Sequence, residues 1–91
     1  MAASAEFVVT GVVQGVGFRW FTRREARRLG LRGWVRNRAD GTVQARVQGD
    51  EHAVAELEKA LQQGPPGAVV ESVTRSTPSQ VENYESFEVT G

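Results

Sequence analysis

The fold can be traced outward from residues 11–19, which run Gly11-Val12-Val13-Gln14-Gly15-Val16-Gly17-Phe18-Arg19. Before this stretch, β-branched residues recur with a period of two, which predicts a strand over about residues 6–13. After Phe18, apolar residues recur at helical spacing, which predicts a helix over about residues 20–29. Gly15 and Gly17 lie between the two elements, and glycine readily adopts positive φ or lets another backbone approach closely. We therefore expect a tight turn from a strand end into a helix start.

This turn has the features of an anion-binding loop. The first N–H groups of a helix lack partners within the helix, and the positive end of the helix dipole favours negative charge there. Successive N–H groups in a glycine turn can surround a tetrahedral oxyanion. The planar guanidinium of Arg19 can hold two phosphate oxygens. The loop matches neither the Walker motif nor the dinucleotide motif, and taken alone it also fits a structural turn with a surface arginine.

A second informative stretch covers residues 33–43 and runs Gly33-Trp34-Val35-Arg36-Asn37-Arg38-Ala39-Asp40-Gly41-Thr42-Val43. It predicts a strand over about residues 33–38, a turn at Asp40-Gly41, and a strand over about residues 42–48. Val35 and Asn37 share one face of the first strand, because side chains alternate along a strand. In the second strand, alternation predicts one core-facing set and one solvent-facing set, namely Val43, Ala45, Val47 and Gln44, Arg46, Gln48.

Together, the two stretches resemble the acylphosphatase family, whose signatures read G-x-V-Q-G-V-x-F-R and G-W-V-R-N-x-x-D-G-x-V. The resemblance extends from about Phe7 to Val89, so we treat residues 1–91 as a single acylphosphatase-like domain. It implies a hydrolase that cleaves the carboxyl-phosphate bond of acyl phosphates, giving a carboxylate and inorganic phosphate. It also implies water attack on phosphorus held in the glycine loop, with no metal, no cofactor and no covalent phosphoenzyme.

The resemblance assigns roles to residues by their match to the two signatures. Arg19 matches the phosphate-binding, catalytic arginine, and Asn37 matches the asparagine that orients the attacking water. The phosphate cradle is matched by Gln14, Gly15, Val16, Gly17, Phe18 and Arg19. Thr22 lies one helical turn from Phe18, where a hydrogen bond to the loop would support it.

The remaining elements complete a predicted fold. Asp50 is a good helix N-cap, followed by apolar residues at helical spacing up to the Gly64-Pro65-Pro66 stop. Strands are expected over about residues 69–75 and 85–90, separated by a polar loop at residues 76–83. This order predicts an α+β, ferredoxin-like βαββαβ sandwich: an antiparallel sheet with two helices on one face and a short extra C-terminal strand.

Composition and charge limit the classes of function. The chain has no cysteine and no long apolar run near Met1, so we expect a cytoplasmic protein without a membrane segment. We also expect a monomer. Net charge is zero, but residues 1–47 hold nine arginines and three acidic residues. Residues 48–91 hold two basic and eight acidic residues. The positive half could steer an anionic substrate to Arg19, although individual helix arginines could simply be solvated.

Two alternative functions remain open. Ferredoxin-like domains often bind RNA, but RNA-binding sheets of this type display exposed aromatic residues on central strands. The outward positions of the first and third predicted strands carry no aromatic residue, so we expect no nucleic acid partner. Similar domains also occur within larger maturation proteins that handle carbamoyl phosphate. The short chain and its two intact signatures favour an independent enzyme acting on small acyl phosphates.

Overall fold

A computed structural model describes residues 1–80 and 82–91. It contains five strands and two helices, numbered in chain order. They are β1 (Ala2–Val12), α1 (Phe18–Arg28), β2 (Arg32–Asn37), β3 (Val43–Asp50), α2 (Glu51–Gln63), β4 (Val69–Ser76) and β5 (Phe87–Val89). The predicted order of elements is confirmed, although β1 begins earlier and β5 is shorter than the alternation suggested. Within the described residues, no helix is long and apolar enough to cross a membrane.

The strands form one sheet in the order β4-β1-β3-β2-β5. β1 pairs antiparallel with β3 and β4, and β2 pairs antiparallel with β3. This arrangement confirms the ferredoxin-like fold class. The short strand β5 pairs parallel with β2, so the sheet is mixed instead of wholly antiparallel. β4 runs opposite to β1 and β2, so it ends at the end of the sheet where β2 begins. A chain that crosses the sheet at that end enters β5 in the same direction as β2.

Both helices pack on one face of the sheet and enclose the core. Alternating residues of β1 and β3 supply one side of it, including Phe7 and Val47. The helices supply the other side at helical spacing, with Phe18 and Ala26 from α1 and Leu57 from α2. Each large apolar side chain buried in this way contributes about 1.5–3 kcal/mol to stability. The core therefore fixes the position of α1 relative to the end of β1, from which the glycine loop runs into the helix.

Helix α1 begins two residues before its predicted start. Gly17 is its N-cap and adopts a left-handed conformation (φ 77°, ψ 20°), so Phe18 and Arg19 already belong to the first turn. At the other end, the N–H of Gly30 bonds to the carbonyl of Arg27, and the N–H of Leu31 bonds to that of Ala26. This pair of bonds is a Schellman motif, which explains why Gly30 ends the helix.

The outer face of the sheet is less exposed than predicted. Gln44 and Gln48, expected to face solvent, are only 8% and 9% exposed. Gln44 accepts a hydrogen bond from Arg36, and Gln48 donates to the carbonyl of Glu82 in the crossing segment. That prediction was wrong because alternation shows which face a side chain points to, not what covers that face.

Candidate active site

The glycine loop between β1 and α1 has the conformation that its sequence predicts. Gly15 and Gly17 both have φ of 77°, in the left-handed region that side chains other than glycine rarely adopt. A Cβ atom built on either residue would meet no other atom within 4 Å. Glycine is therefore required here for backbone conformation, and the space beside the loop is open.

The loop presents free donors at the start of α1. Within the described part of the chain, no group accepts a hydrogen bond from the main-chain N–H of residues 15–19. The first hydrogen bond of the helix runs from the N–H of Phe21 to the carbonyl of Gly17. The first turn contains no acidic residue. Free N–H groups and the positive end of the helix dipole therefore face an open space, and no acidic side chain of the first turn offsets their positive charge. This favours binding of an anion.

Gln14 ties this loop to the turn between β2 and β3. Its amide Nε2 donates to the carbonyl of Arg38 at 2.8 Å and to the carbonyl of Thr42 at 2.9 Å. Both of its side-chain donors are therefore committed to the protein, so only its main chain could contribute to the predicted phosphate cradle. The side chain instead fixes the distance between the loop and the end of β2, where Asn37 lies.

Arg19 and Asn37 meet at one oxygen atom. The Arg19 guanidinium donates through Nη1 to the main-chain oxygen of Gly91 at 2.5 Å. The main-chain N–H of Asn37 donates to the same oxygen at 3.0 Å. The structure therefore brings the two predicted catalytic residues together, although they are far apart in sequence. Gly91 is a site residue that the sequence analysis missed, because nothing in the local pattern indicates where the chain end returns.

The side-chain oxygen of Asn37 has no hydrogen-bond partner among the described residues. Oδ1 is buried, and no described protein group donates a hydrogen bond to it. Buried polar atoms are nearly always hydrogen-bonded, and an unsatisfied one costs about 1–3 kcal/mol. Asn37 lines a shallow depression together with Arg36, Arg38 and Ala39. An amide oxygen in this setting is suited to accept a hydrogen bond from a water molecule or a ligand.

The other cradle residues anchor the loop to the core. Phe18 is buried at the start of α1, and Val16 packs against the core. Thr22 is fully buried, and its Oγ1 donates to the carbonyl of Phe18 at 2.9 Å. The hydrogen bond expected of Thr22 is therefore present. It closes the first turn of α1, and the side chain lies away from the open space beside the glycines.

Asp40 is the acidic residue nearest to Asn37 in the sequence, and it belongs to the turn. Its Oδ1 accepts from the hydroxyl of Thr42 at 2.6 Å and from the N–H of Thr42 at 3.1 Å. These bonds, with the charge of Arg38, lower the pKa of the Asp40 carboxyl below its ordinary value. Asp40 is therefore a turn former and a weak base.

Comparisons with known proteins agree on one family. The family model described as acylphosphatase matches residues 5–89. An acylphosphatase from Archaeoglobus fulgidus is 49% identical over 84 residues, which cover 92% of this chain and 93% of the relative. The crystal structure of acylphosphatase from Bacillus subtilis superposes with a TM-score of 0.93 at 34% identity, over 100% of both chains. HypF from T. kodakarensis gives a TM-score of 0.85 at 29% identity, over 100% of this chain and 12% of HypF.

Proposed function

The chain belongs to the acylphosphatase family and hydrolyses acyl phosphates, and we propose that it does so by direct attack of water on phosphorus held in the glycine loop. The observation that carries this proposal is the convergence of Arg19 and Asn37 on the Gly91 oxygen, beside a loop whose N–H groups are free. From this convergence we infer that a cation, a row of donors and the Asn37 amide oxygen surround one space.

The loop and Arg19 bind the phosphoryl group. The main-chain N–H groups of residues 15–19 donate to its oxygens, and the second guanidinium edge of Arg19 adds a charge-assisted contact. Charge on these oxygens is redistributed as the phosphorus is attacked, so donors fixed beforehand stabilise the transition state without reorganising. Gly91 holds Arg19 in this orientation through its main-chain oxygen.

Asn37 positions the attacking water. Its buried Oδ1 accepts a hydrogen bond from the water, whose oxygen then attacks phosphorus on the side opposite the acyl oxygen. The bond from phosphorus to the acyl oxygen breaks, and its electron pair leaves with the carboxylate. The other product is inorganic phosphate, which carries the oxygen of the water.

This mechanism requires neither a strong acid nor a strong base. A carboxylate is a stable leaving group without protonation, and the amide of Asn37 is too weak a base to remove a proton at neutral pH. The proton of the water passes to a phosphate oxygen as the new bond forms. The site therefore acts mainly by positioning and by charge stabilisation, as expected for phosphoryl transfer.

The test is hydrolysis of benzoyl phosphate in the presence of a chelator by the wild-type chain, Arg19→Ala and Asn37→Ala. Arg19→Ala should lose both turnover and phosphate affinity, since a charge-assisted contact in the transition state contributes several kcal/mol, about 3 or more. Asn37→Ala should lose turnover but keep most of its phosphate affinity. Arg28→Ala is the control, because Arg28 pairs with Glu25 away from the loop.

The outcomes separate the assigned roles. Normal phosphate affinity in Arg19→Ala would contradict its role in phosphate binding. A loss of phosphate affinity in Asn37→Ala would make Asn37 a binding residue instead of a water-positioning one. A folded wild-type chain that hydrolyses no acyl phosphate would overturn the proposed function. A monomeric state, a cytoplasmic location and the lack of nucleic acid partners stay predictions.

A further inference from the structure

A groove runs along the exposed face of α1 and begins at the glycine loop. We call it the α1 groove, and its lining includes Gly17, Trp20, Phe21, Arg23, Pro65 and Pro66. Trp20 is 61% exposed, which is unusual for so large an apolar side chain. The groove shares no lining residue with the depression beside Asn37, as judged from the described residues. It is thus a second opening next to the same loop.

Arg23 in this groove is a cation that no carboxylate of a described residue contacts directly. Its guanidinium lies 5.1 Å from the centroid of the Trp20 ring, and its Nε is buried without a hydrogen-bond partner. No carboxylate of a described residue lies within 4.0 Å of it. Stacking on an aromatic ring restricts the guanidinium, so less conformational entropy is lost when it binds an anion.

The neighbouring arginines of α1 differ from Arg23 in this respect. Arg24 and Arg27 also line the groove, but Arg24 pairs with Glu25 at 3.4 Å and Arg27 pairs with Glu88 at 3.2 Å. Outside the groove, Arg28 pairs with Glu25 at 3.1 Å. Glu88 is further occupied by the hydroxyl of Ser86 at 2.6 Å. The charge of Arg23 lies near enough to help lower the pKa of Glu88, but the hydrogen bonds of Glu88 go to Arg27 and Ser86, and Arg23 lines the groove.

The direction of the reaction sets the side on which the acyl group leaves. In an in-line displacement, the leaving oxygen departs on the side of phosphorus opposite the attacking water. The water is held by Asn37, so the acyl part must extend away from Asn37 and its depression. The α1 groove opens from Gly17, which belongs to the loop that holds the phosphate. Arg23 lies four residues, a rise of about 6 Å, beyond Arg19 along α1.

We propose that the α1 groove binds the acyl part of the substrate, and that Arg23 selects acyl phosphates whose acyl part carries a second anionic group. This inference rests on the proposed function of the same site. A carboxylate or a phosphoryl group on the acyl part would reach Arg23, while the apolar part of the acyl group lies against Trp20. The first anion is bound at the loop and Arg19, and the second is bound one turn further along the helix.

The test compares benzoyl phosphate with 4-carboxybenzoyl phosphate, which differ by one charged group at the far end of the ring. Arg23→Gln should lower kcat/KM for the carboxylated substrate about fivefold more than for benzoyl phosphate, as expected for one partly exposed ion pair. Arg23→Lys keeps the charge and should recover part of this difference. A third substrate, 4-phosphonobenzoyl phosphate, shows whether a phosphoryl group is preferred to a carboxylate.

Arg28→Gln is the matched control, because it removes the same charge from the same helix outside the groove. An equal loss in Arg28→Gln would mean that only the general positive field matters, and would overturn the inference. An unchanged ratio of the substrates in Arg23→Gln, with hydrolysis intact, would also overturn it while leaving the proposed function standing. A wild-type chain that hydrolyses none of the three substrates would overturn both.

Discussion

At the scale of single residues, two glycines at the ends of α1 separate the effect of a positive φ on stability from its effect on phosphate binding. Gly17 and Gly30 both have positive φ, 77° and 72°, and a Cβ on either would meet nothing within 4 Å. They sit at opposite ends of α1, so they carry the same backbone strain in different places. Only Gly17 lies beside the proposed phosphate.

Gly17→Ala and Gly30→Ala should therefore destabilise the protein by similar amounts, about 1 kcal/mol each. Gly17→Ala should also weaken phosphate binding about fivefold, because its N–H must turn away as φ relaxes. Thermal unfolding measures the first effect, and competitive inhibition of hydrolysis by phosphate measures the second. Equal phosphate affinity in the two variants would show that the conformation of Gly17 is not needed for the cradle.

Substitution of Gln14 tests whether its hydrogen bonds hold the phosphate-binding loop in position relative to Asn37. Its two hydrogen bonds to the carbonyls of Arg38 and Thr42 hold the loop against the end of β2. Gln14→Ala should cost about 1–2 kcal/mol of stability, since each carbonyl keeps a second, main-chain donor. We expect a fall in kcat with little change in phosphate affinity. Gln14→Glu should lower both stability and kcat further than Gln14→Ala, because a carboxylate cannot donate to these carbonyls.

Measurements of kcat and of the phosphate inhibition constant decide the role of Gln14. A loss of phosphate affinity with unchanged kcat would mean that the side chain binds the phosphate directly. The sequence could not decide this point. The signature identifies Gln14 as part of the loop, but only the fold shows that the β2–β3 turn lies within reach of its amide.

At the scale of elements, the sequence predicted most of the fold because its signals were local. Alternation in β1, the glycine turn and the Asp50 cap each depend on neighbouring residues, and the structure confirms them. Contacts that depend on distant parts of the chain were not predictable. They include the parallel pairing of β5, the cover over Gln44 and Gln48, and the return of Gly91 to Arg19.

The outer face of β2 carries an aromatic residue, Trp34, which pairs across the sheet with Arg46. The first and third strands, from which we expect no RNA binding, carry no aromatic residue on that face. The guanidinium groups of Arg36 and Arg46 already lie over this ring, at 5.1 Å and 5.8 Å from its centroid. A nucleobase would have to displace an arginine in order to stack on Trp34, so this aromatic residue does not by itself favour RNA binding.

Helix α2 depends on pH through its N-cap. The Asp50 carboxylate accepts from the amino group of Met1 and from the N–H of His52, each at 3.0 Å. These bonds lower the pKa of Asp50 below its ordinary value of 3.8, the amino group of Met1 most strongly. Because the folded pKa is depressed, this stabilisation is present above the unfolded pKa and is lost as pH falls through the folded pKa.

Asp50→Asn is the variant that isolates this charge, because asparagine also caps helices well but does not titrate. The wild-type chain should have the higher melting temperature at pH 6, and the difference should shrink as the pH falls below 3.8 and through the lowered folded pKa of Asp50. Circular dichroism during heating, at a series of pH values, measures this difference. A gap that does not shrink at all with falling pH would mean that the charge of Asp50 is not its source.

At the scale of the whole molecule, the proposed site depends on β5, the last strand in chain order. The chain crosses from β4 at one edge to β5 at the other, and Phe87 anchors β5 in the core at 1% exposure. Beyond β5, the N–H of Thr90 donates to the carbonyl of Val35. The main-chain oxygen of Gly91 accepts hydrogen bonds from the Arg19 guanidinium and from the N–H of Asn37. Packing of β5 should therefore be coupled to the orientation of Arg19.

Phe87→Ala and Leu57→Ala separate this coupling from general stability. Both side chains are fully buried, at 1% and 0% exposure, and each truncation should cost about 2–5 kcal/mol. Leu57 belongs to α2, which supplies no residue of the proposed site, so the folded Leu57→Ala protein should keep its kcat for benzoyl phosphate. Phe87→Ala should lose kcat even under conditions where it is folded, because local opening of β5 releases Gly91 from Arg19. Denaturant unfolding followed by kinetics well below the transition measures both effects in the same samples. Equal kcat in the two variants would show that β5 contributes stability alone, and that Arg19 keeps its orientation without Gly91.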